Sequence, residues 1–161
     1  LFSSAQTAPF LAKARARRLI AAVHYEYCLL EEVEAMRRRF NRGTGLQFCG
    51  RFTISRPQRL SISAIDDLGS HLLAVRAYAA PDSVISDVRC GYELPDERRV
   101  WLESRGERIF SLDFLRNQEP IIQRFIALLE ASMHGAEFPF DLEFALRVAD
   151  GIAELKRIGP S

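Results

Sequence analysis

No apolar run in this chain approaches the roughly 18 residues that a membrane-spanning helix needs, and no signal-peptide pattern opens it. A membrane partner is therefore not expected. The three cysteines, Cys28, Cys49 and Cys90, stand far apart and form no Cys-x-x-Cys pair. So sparse a set excludes a disulfide framework or a cysteine-built zinc site and fits free thiols in a reducing cytoplasm. A basic excess is also missing: 22 Lys and Arg against 21 Asp and Glu leave a net charge of +1. Nucleic-acid binders ordinarily carry a clear surplus of cations, so nucleic acid is not an expected partner either. No Gly-x-Gly-x-x-Gly follows a strand-like run, and no phosphate-binding loop, serine nucleophile elbow, metalloprotease helix or EF-hand loop is present. The chain thus carries no visible nucleotide-binding fingerprint and no metal-ligand spacing. It begins Leu1-Phe2-Ser3-Ser4, without methionine or a polar leader, and reads as processed out of something longer.

What remains is an ordinary globular composition: 161 residues, 48% hydrophobic and 27% charged, enough for one domain with a real core. Ser4 to Arg18 reads as a helix whose cations gather in the last turn, where the helix dipole favours them. Leu19 to Val23 is a continuous apolar run, short enough for a buried strand. Leu29 to Phe40 is acidic early and basic late, with Glu34 and Arg38 at pairing distance; Arg37, Arg38 and Arg39 read as a solvated helix end. After the turn residues 41–45 the period changes to two. Leu46, Phe48, Phe52 and Ile54 face one way, and Gln47, Cys49, Arg51, Thr53 and Ser55 the other, until Pro57 ends the strand.

A helix to about Ala79 comes next, stopped by Pro81-Asp82. A second strand sets Val84, Val88, Cys90 and Tyr92 against Asp87, Arg89 and Glu93. Val100–Leu102 and Arg108–Phe114 read as a hairpin around Ser104-Arg105-Gly106-Glu107. Two helices close the chain. Ile122, Phe125, Ile126, Leu129 and Met133 make the stripe of the first, which ends at Gly135. Asp141 is the N-cap of the second, whose core face is Leu142, Ala145, Leu146, Ala149, Ile152 and Ala153. The expected fold class is α+β: a mostly antiparallel open sheet with helices on one face, preceded by a helix and strand. Its open face, with Arg51, Thr53 and Arg89, is expected to build a homo-oligomer.

Within that order, Ser63-Ala64-Ile65-Asp66-Asp67-Leu68-Gly69-Ser70-His71 sets Asp67 four residues before His71 inside a helical pattern. Residues four apart share a helix face. An aspartate there can hold one imidazole nitrogen while the other moves a proton, which makes the two a candidate acid/base pair. The same spacing also describes a buried histidine satisfied by a local carboxylate. His24 reads as structural, and His134 as a cation at a helix C-terminus.

Asp67-Leu68-Gly69-Ser70-His71 matches the Asp-x-Gly-x-His signature of the Gfo/Idh/MocA oxidoreductases, the family of glucose-fructose oxidoreductase and inositol dehydrogenase. Leu19 to Tyr27 resembles that family's strand leaving its dinucleotide-binding domain, and Phe138 to Val148 its closing segment. The chain as a whole resembles the C-terminal part of such an enzyme. The resemblance implies residues 1–27 as the tail of a Rossmann domain and residues 28–161 as the substrate-binding and oligomerisation domain. It implies His71 as the catalytic proton acceptor with Asp67 orienting it. It also implies a sugar-like or cyclitol-like small-molecule substrate, and NAD or NADP bound mainly by a domain absent here, so that the isolated chain is inactive. Three departures stand beside it. The family's Glu-Lys-Pro motif would precede Leu1, an aspartate is replaced by Ala74, and an arginine-bearing segment reads Tyr25-Glu26-Tyr27. They support the alternative of a non-catalytic oligomerisation or ligand-binding module derived from that family.

Overall fold

Helix α1, Ser4–Ala16, ends in Lys13 and Arg15 as the dipole favours, and the computed structural model shows what stops it. Arg18 adopts φ 53°, while Leu19 N–H reaches Ala14 O and Arg18 N–H reaches Arg15 O. This is a Schellman closure with arginine where glycine is usual. The structure describes residues 4–40, 47–54, 62–92, 99–104, 107–113 and 118–158.

Beyond that closure the apolar run is not a buried strand, contrary to expectation. Leu19 is 61% and Ile20 42% exposed, and the backbone pairs merely through an Ala22–Asp141 bridge and Val23 N–H to Phe140 O. The run meets the turn at Pro139-Phe140, not a sheet, so it lacks the neighbouring strands that would bury it. A 3-10 turn, Glu26–Leu29, then leads into α2, Glu31–Phe40, which buries Val33 and Met36. Glu34 pairs with Arg37 three residues on rather than with Arg38, and accepts a hydrogen bond from the Tyr78 hydroxyl.

Four strands form one sheet: β1 Gln47–Ile54, β2 Val84–Tyr92, β3 Arg99–Ser104 and β4 Glu107–Asp113, in the order β2-β1-β3-β4. The α+β class holds. The expected antiparallel arrangement holds in part: β1–β3 and β3–β4 are antiparallel, but β1 and β2 run parallel. The cause is the helix α3, Ser70–Ala79, between β1 and β2; such a crossover returns the chain to the end from which it started. Alternation of side chains is the same in either direction, so the sequence pattern could not report it.

Phe48 and Phe52 are buried on the helix-covered face, as the period of two requires. On β2 the register slips, with Phe48 opposite Ile85 but Cys49 opposite Asp87. The extra residue buries Ile85 and turns Val84 out, so Val84 does not share a face with Val88 and Cys90 as expected. On the other face Arg51 and Arg89 are direct register partners. The expected turn at Gly106 lies outside the described residues.

Helix α4, Gln118–Met133, closes in a second Schellman motif, this time with Gly135 at φ 97°. Its expected stripe is only partly a core stripe. Ile121 and Phe125 are buried, whereas Ile122, Ile126 and Met133 are 46%, 48% and 75% exposed. Helix α5, Leu142–Ile158, is capped by Asp141, whose Oδ1 accepts from Phe144 N–H at 2.8 Å. Its buried face is Phe144, Val148, Ile152 and Leu155; of the residues expected there, Ile152 is fully buried and Ala153 is exposed. Ring contacts of Phe144 with Phe140 and Tyr25 draw that side of the helix inward. Against α3, Gly151 lets Leu73 approach to within 3.4 Å of where a Cβ would sit. Among the described residues no helix is long and apolar enough to cross a membrane.

Candidate active site

The segment that presents His71 begins with a capped turn. Ser63 Oγ accepts from Asp66 N–H at 3.1 Å and donates to Asp66 Oδ2 at 2.7 Å. Lys156 of α5 then holds both Asp66 oxygens, at 2.6 and 2.8 Å. These hydrogen bonds, from Lys156 first and Ser63 second, keep the Asp66 carboxyl below its usual range. The start of the helix is therefore pinned to the end of α5.

Between that cap and α3 lies a single π turn, Ile65–Gly69. Such turns are uncommon and often mark functional sites. Gly69, buried at its end, stands where a Cβ would lie 3.6 Å from Cys90 Sγ, so the turn sits close on β2. Asp67 falls inside the wide turn and His71 inside the first α turn after it. Each residue of a π turn advances by less than the α-helix's roughly 100°, so four steps across the junction bring Asp67 and His71 closer to one line along the axis. Both side chains are half-buried, and the Asp67 carbonyl accepts from Ser70 Oγ at 3.0 Å.

His71 is framed by aromatic rings. Tyr27, on the 3-10 turn, lies 4.9 Å from it centre to centre at 74°, and Phe52, on β1, 5.8 Å at 80°. The Nδ1 atom is buried within this frame. Sequence reasoning did not place these two residues at the site, because they stand far from His71 in the chain and carry no shared spacing. The changed Tyr25-Glu26-Tyr27 segment was the one signal pointing there.

The buried thiols are not poised as nucleophiles. Burial pushes the Cys90 thiol up to about 12, and burial with Glu26 and Glu34 nearby raises Cys28 well above its ordinary value. Neither is a thiolate near neutral pH. His24 rests edge-on against Phe125 at 4.7 Å, with Nδ1 3.4 Å from Glu26, in keeping with a structural role. Among the described residues no three His, Cys, Asp or Glu side chains cluster as a metal site would need. The residues present do not fit a dinucleotide either. In the β-α-β unit found among the described residues, β1–α3–β2, the helix start where a pyrophosphate would rest carries Asp66 and Asp67.

No protein-family model matches the chain, and no curated protein matches it. Solved structures do. One is the UDP-N-acetylglucosamine 3-dehydrogenase GnnA from Acidithiobacillus ferrooxidans, with a TM-score of 0.71 and 12% identity over 97% of this chain and 67% of that one. Another is GenD2 from gentamicin A biosynthesis in complex with NAD, with a TM-score of 0.74 and 11% identity over 98% of this chain and 66% of that one. The chain spans about two thirds of the length of each. At such identity the likeness establishes a shared fold, which extends over nearly all of these 161 residues.

Proposed function

We propose that this chain is the substrate-binding, catalytic-histidine portion of an NAD(P)-dependent oxidoreductase acting on a hydroxyl or carbonyl of a sugar-like or cyclitol-like small molecule. The observation that carries the reading is the seat of His71. It stands at the head of the crossover helix, half-buried beside Asp67, in a fold shared with a UDP-N-acetylglucosamine 3-dehydrogenase and with a protein solved holding NAD. The chain's own part in the reaction is the proton. His71 accepts it from the substrate hydroxyl on oxidation and returns it on reduction, while Asp67 orients the ring and stabilises its charged form. The reading requires the dinucleotide, NAD or NADP, to be held by residues outside this chain.

In a protein that joins this chain to a dinucleotide-binding segment, His71→Ala is expected to lower kcat by about 100-fold to 10,000-fold, the usual share of general acid/base catalysis. Cofactor affinity, read by NADH fluorescence, is expected to stay within error. Unchanged turnover sinks the role given to His71.

A further inference from the structure

Rotation about χ2 of a histidine is soft and broadly distributed, so an imidazole does not aim itself; its neighbours aim it. Around His71 those neighbours come from two distant parts of the chain. Phe52 is fixed on β1 and 2% exposed. Tyr27 is only half-buried, at the rim of the core. The three rings meet pairwise near right angles, with Tyr27 and Phe52 themselves 6.2 Å apart at 70°. Mutual edge-to-face contact is the arrangement that aromatic quadrupoles favour.

Tyr27 is in turn held from both sides. Its successors Cys28 and Leu29 are buried in the core. Cys28 N–H bonds to Tyr25 O at 3.1 Å, and Leu30 N–H to Tyr27 O at 3.4 Å. From α4, Arg124 donates through Nη1 to Leu29 O at 2.9 Å and pairs through Nη2 with Glu31, so it clamps the far side of the same turn. A tyrosine that merely filled space would have no use for so fixed a backbone at the rim.

We infer that Tyr27 is a second positioning residue of His71, beside Asp67: with Phe52 as the wall on the sheet side, Tyr27 is the wall on the turn side that sets the tilt of the imidazole. Arg124 of α4 acts through it by holding the turn. The role rests on the proton-transfer reading of His71, although the contact of the three rings does not. It also gives a use to the segment Tyr25-Glu26-Tyr27, where this chain departs from its resemblance.

Nuclear magnetic resonance of the 161-residue chain, selectively labelled at histidine, reads the inference directly. His71 signals are identified by their loss in His71→Gln. In the wild type, nuclear Overhauser contacts are expected between the Tyr27 and His71 ring protons, with ring-current shifts on His71 Hδ2 and Hε1. Tyr27→Phe keeps both the shifts and the imidazole titration curve. Tyr27→Leu, with native circular dichroism, loses the shifts, moves the titration midpoint and drifts toward the tautomer mixture of a free imidazole. Unaltered His71 signals in a folded Tyr27→Leu overturn the inference, as does the absence of Tyr27–His71 contacts in the wild type, which needs no variant to fold. Loss of the shifts in Tyr27→Phe also overturns it, because the hydroxyl and not the ring would then set the tilt. Failure of the catalytic reading looks different: His71→Ala would keep its turnover while these ring signals stayed as expected.

Discussion

Helices α4 and α5 carry apolar residues at similar spacing, yet they sit differently in the molecule. On α5, Phe144, Val148, Ile152 and Leu155 are all buried, one face pressed against α3 through Gly151 and Leu73. On α4, Ile121 and Phe125 reach the core, while Ile122, Ile126 and Met133, on the neighbouring strip, face outward. The difference lies in what each helix leans on. Helix α5 lies along another helix, and its Phe144 packs against the rings of Tyr25 and Phe140. Helix α4 leans on a 3-10 turn, which it grips with Arg124, and through Phe125 on the rings of His24 and Phe138. Periodicity tells that a helix has an apolar face; the partner decides how wide a strip of it is covered.

Substitutions can break this comparison. Phe144→Ala is expected to cost the most, about 3–5 kcal/mol of unfolding free energy, because a buried aromatic ring leaves a cavity among other rings. Urea denaturation measures it, and a loss under about 1 kcal/mol would mean that the α5 face is less filled than its burial indicates. A smaller effect is expected from alkaline pH, and it falls on the same covered side. Burial pushes the Tyr25 phenol up to about 12. Burial and the hydrogen bond to Glu34 do the same for Tyr78, against 10.0 for an ordinary tyrosine. Between those pH values these two phenols keep in the folded chain protons that they lose in the unfolded one, so their contribution to stability is full below pH 10 and is lost as pH rises toward 12. Tyr78→Phe is expected to make that decline shallower; an identical decline would remove Tyr78 from the account. Smallest of all is Ile126→Gln on α4, expected to change stability by no more than about 0.5 kcal/mol, since an exposed helical position has no packing to lose. A loss approaching that of Phe144→Ala would show the α4 strip to be covered in solution.

Much of the fold was legible residue by residue. The alternation of Phe48 and Phe52, the capping role of Asp141, the glycine closure at Gly135 and the β3–β4 hairpin follow from local chemistry, and local chemistry is what a sequence displays. The direction of β2 was not legible, because it depends on the path of a whole helix and not on any residue within the strand. The end of the first helix near Arg18 was legible, but not the left-handed turn that makes it, which lacks the glycine that announces one. At the site, Asp67 and His71 could be picked out because they are neighbours on one helix. Tyr27 and Phe52 could not, since their meeting with His71 is made by three separate elements folding together.

The π turn at Ile65–Gly69 has one more consequence, for lineage and not for mechanism. A π turn holds one residue more than an α turn, the geometry that a single-residue insertion into a helix would leave. Deleting Leu68 or Gly69 would restore plain helical winding, shorten the Asp67–His71 spacing from four to three and swing Asp67 around the helix axis relative to His71 by roughly 100°, the rotation of one helical residue. Related chains of differing length here would differ by a rotation of the carboxylate about the imidazole, and alignments that assume unbroken helical spacing would misplace the pair by one step.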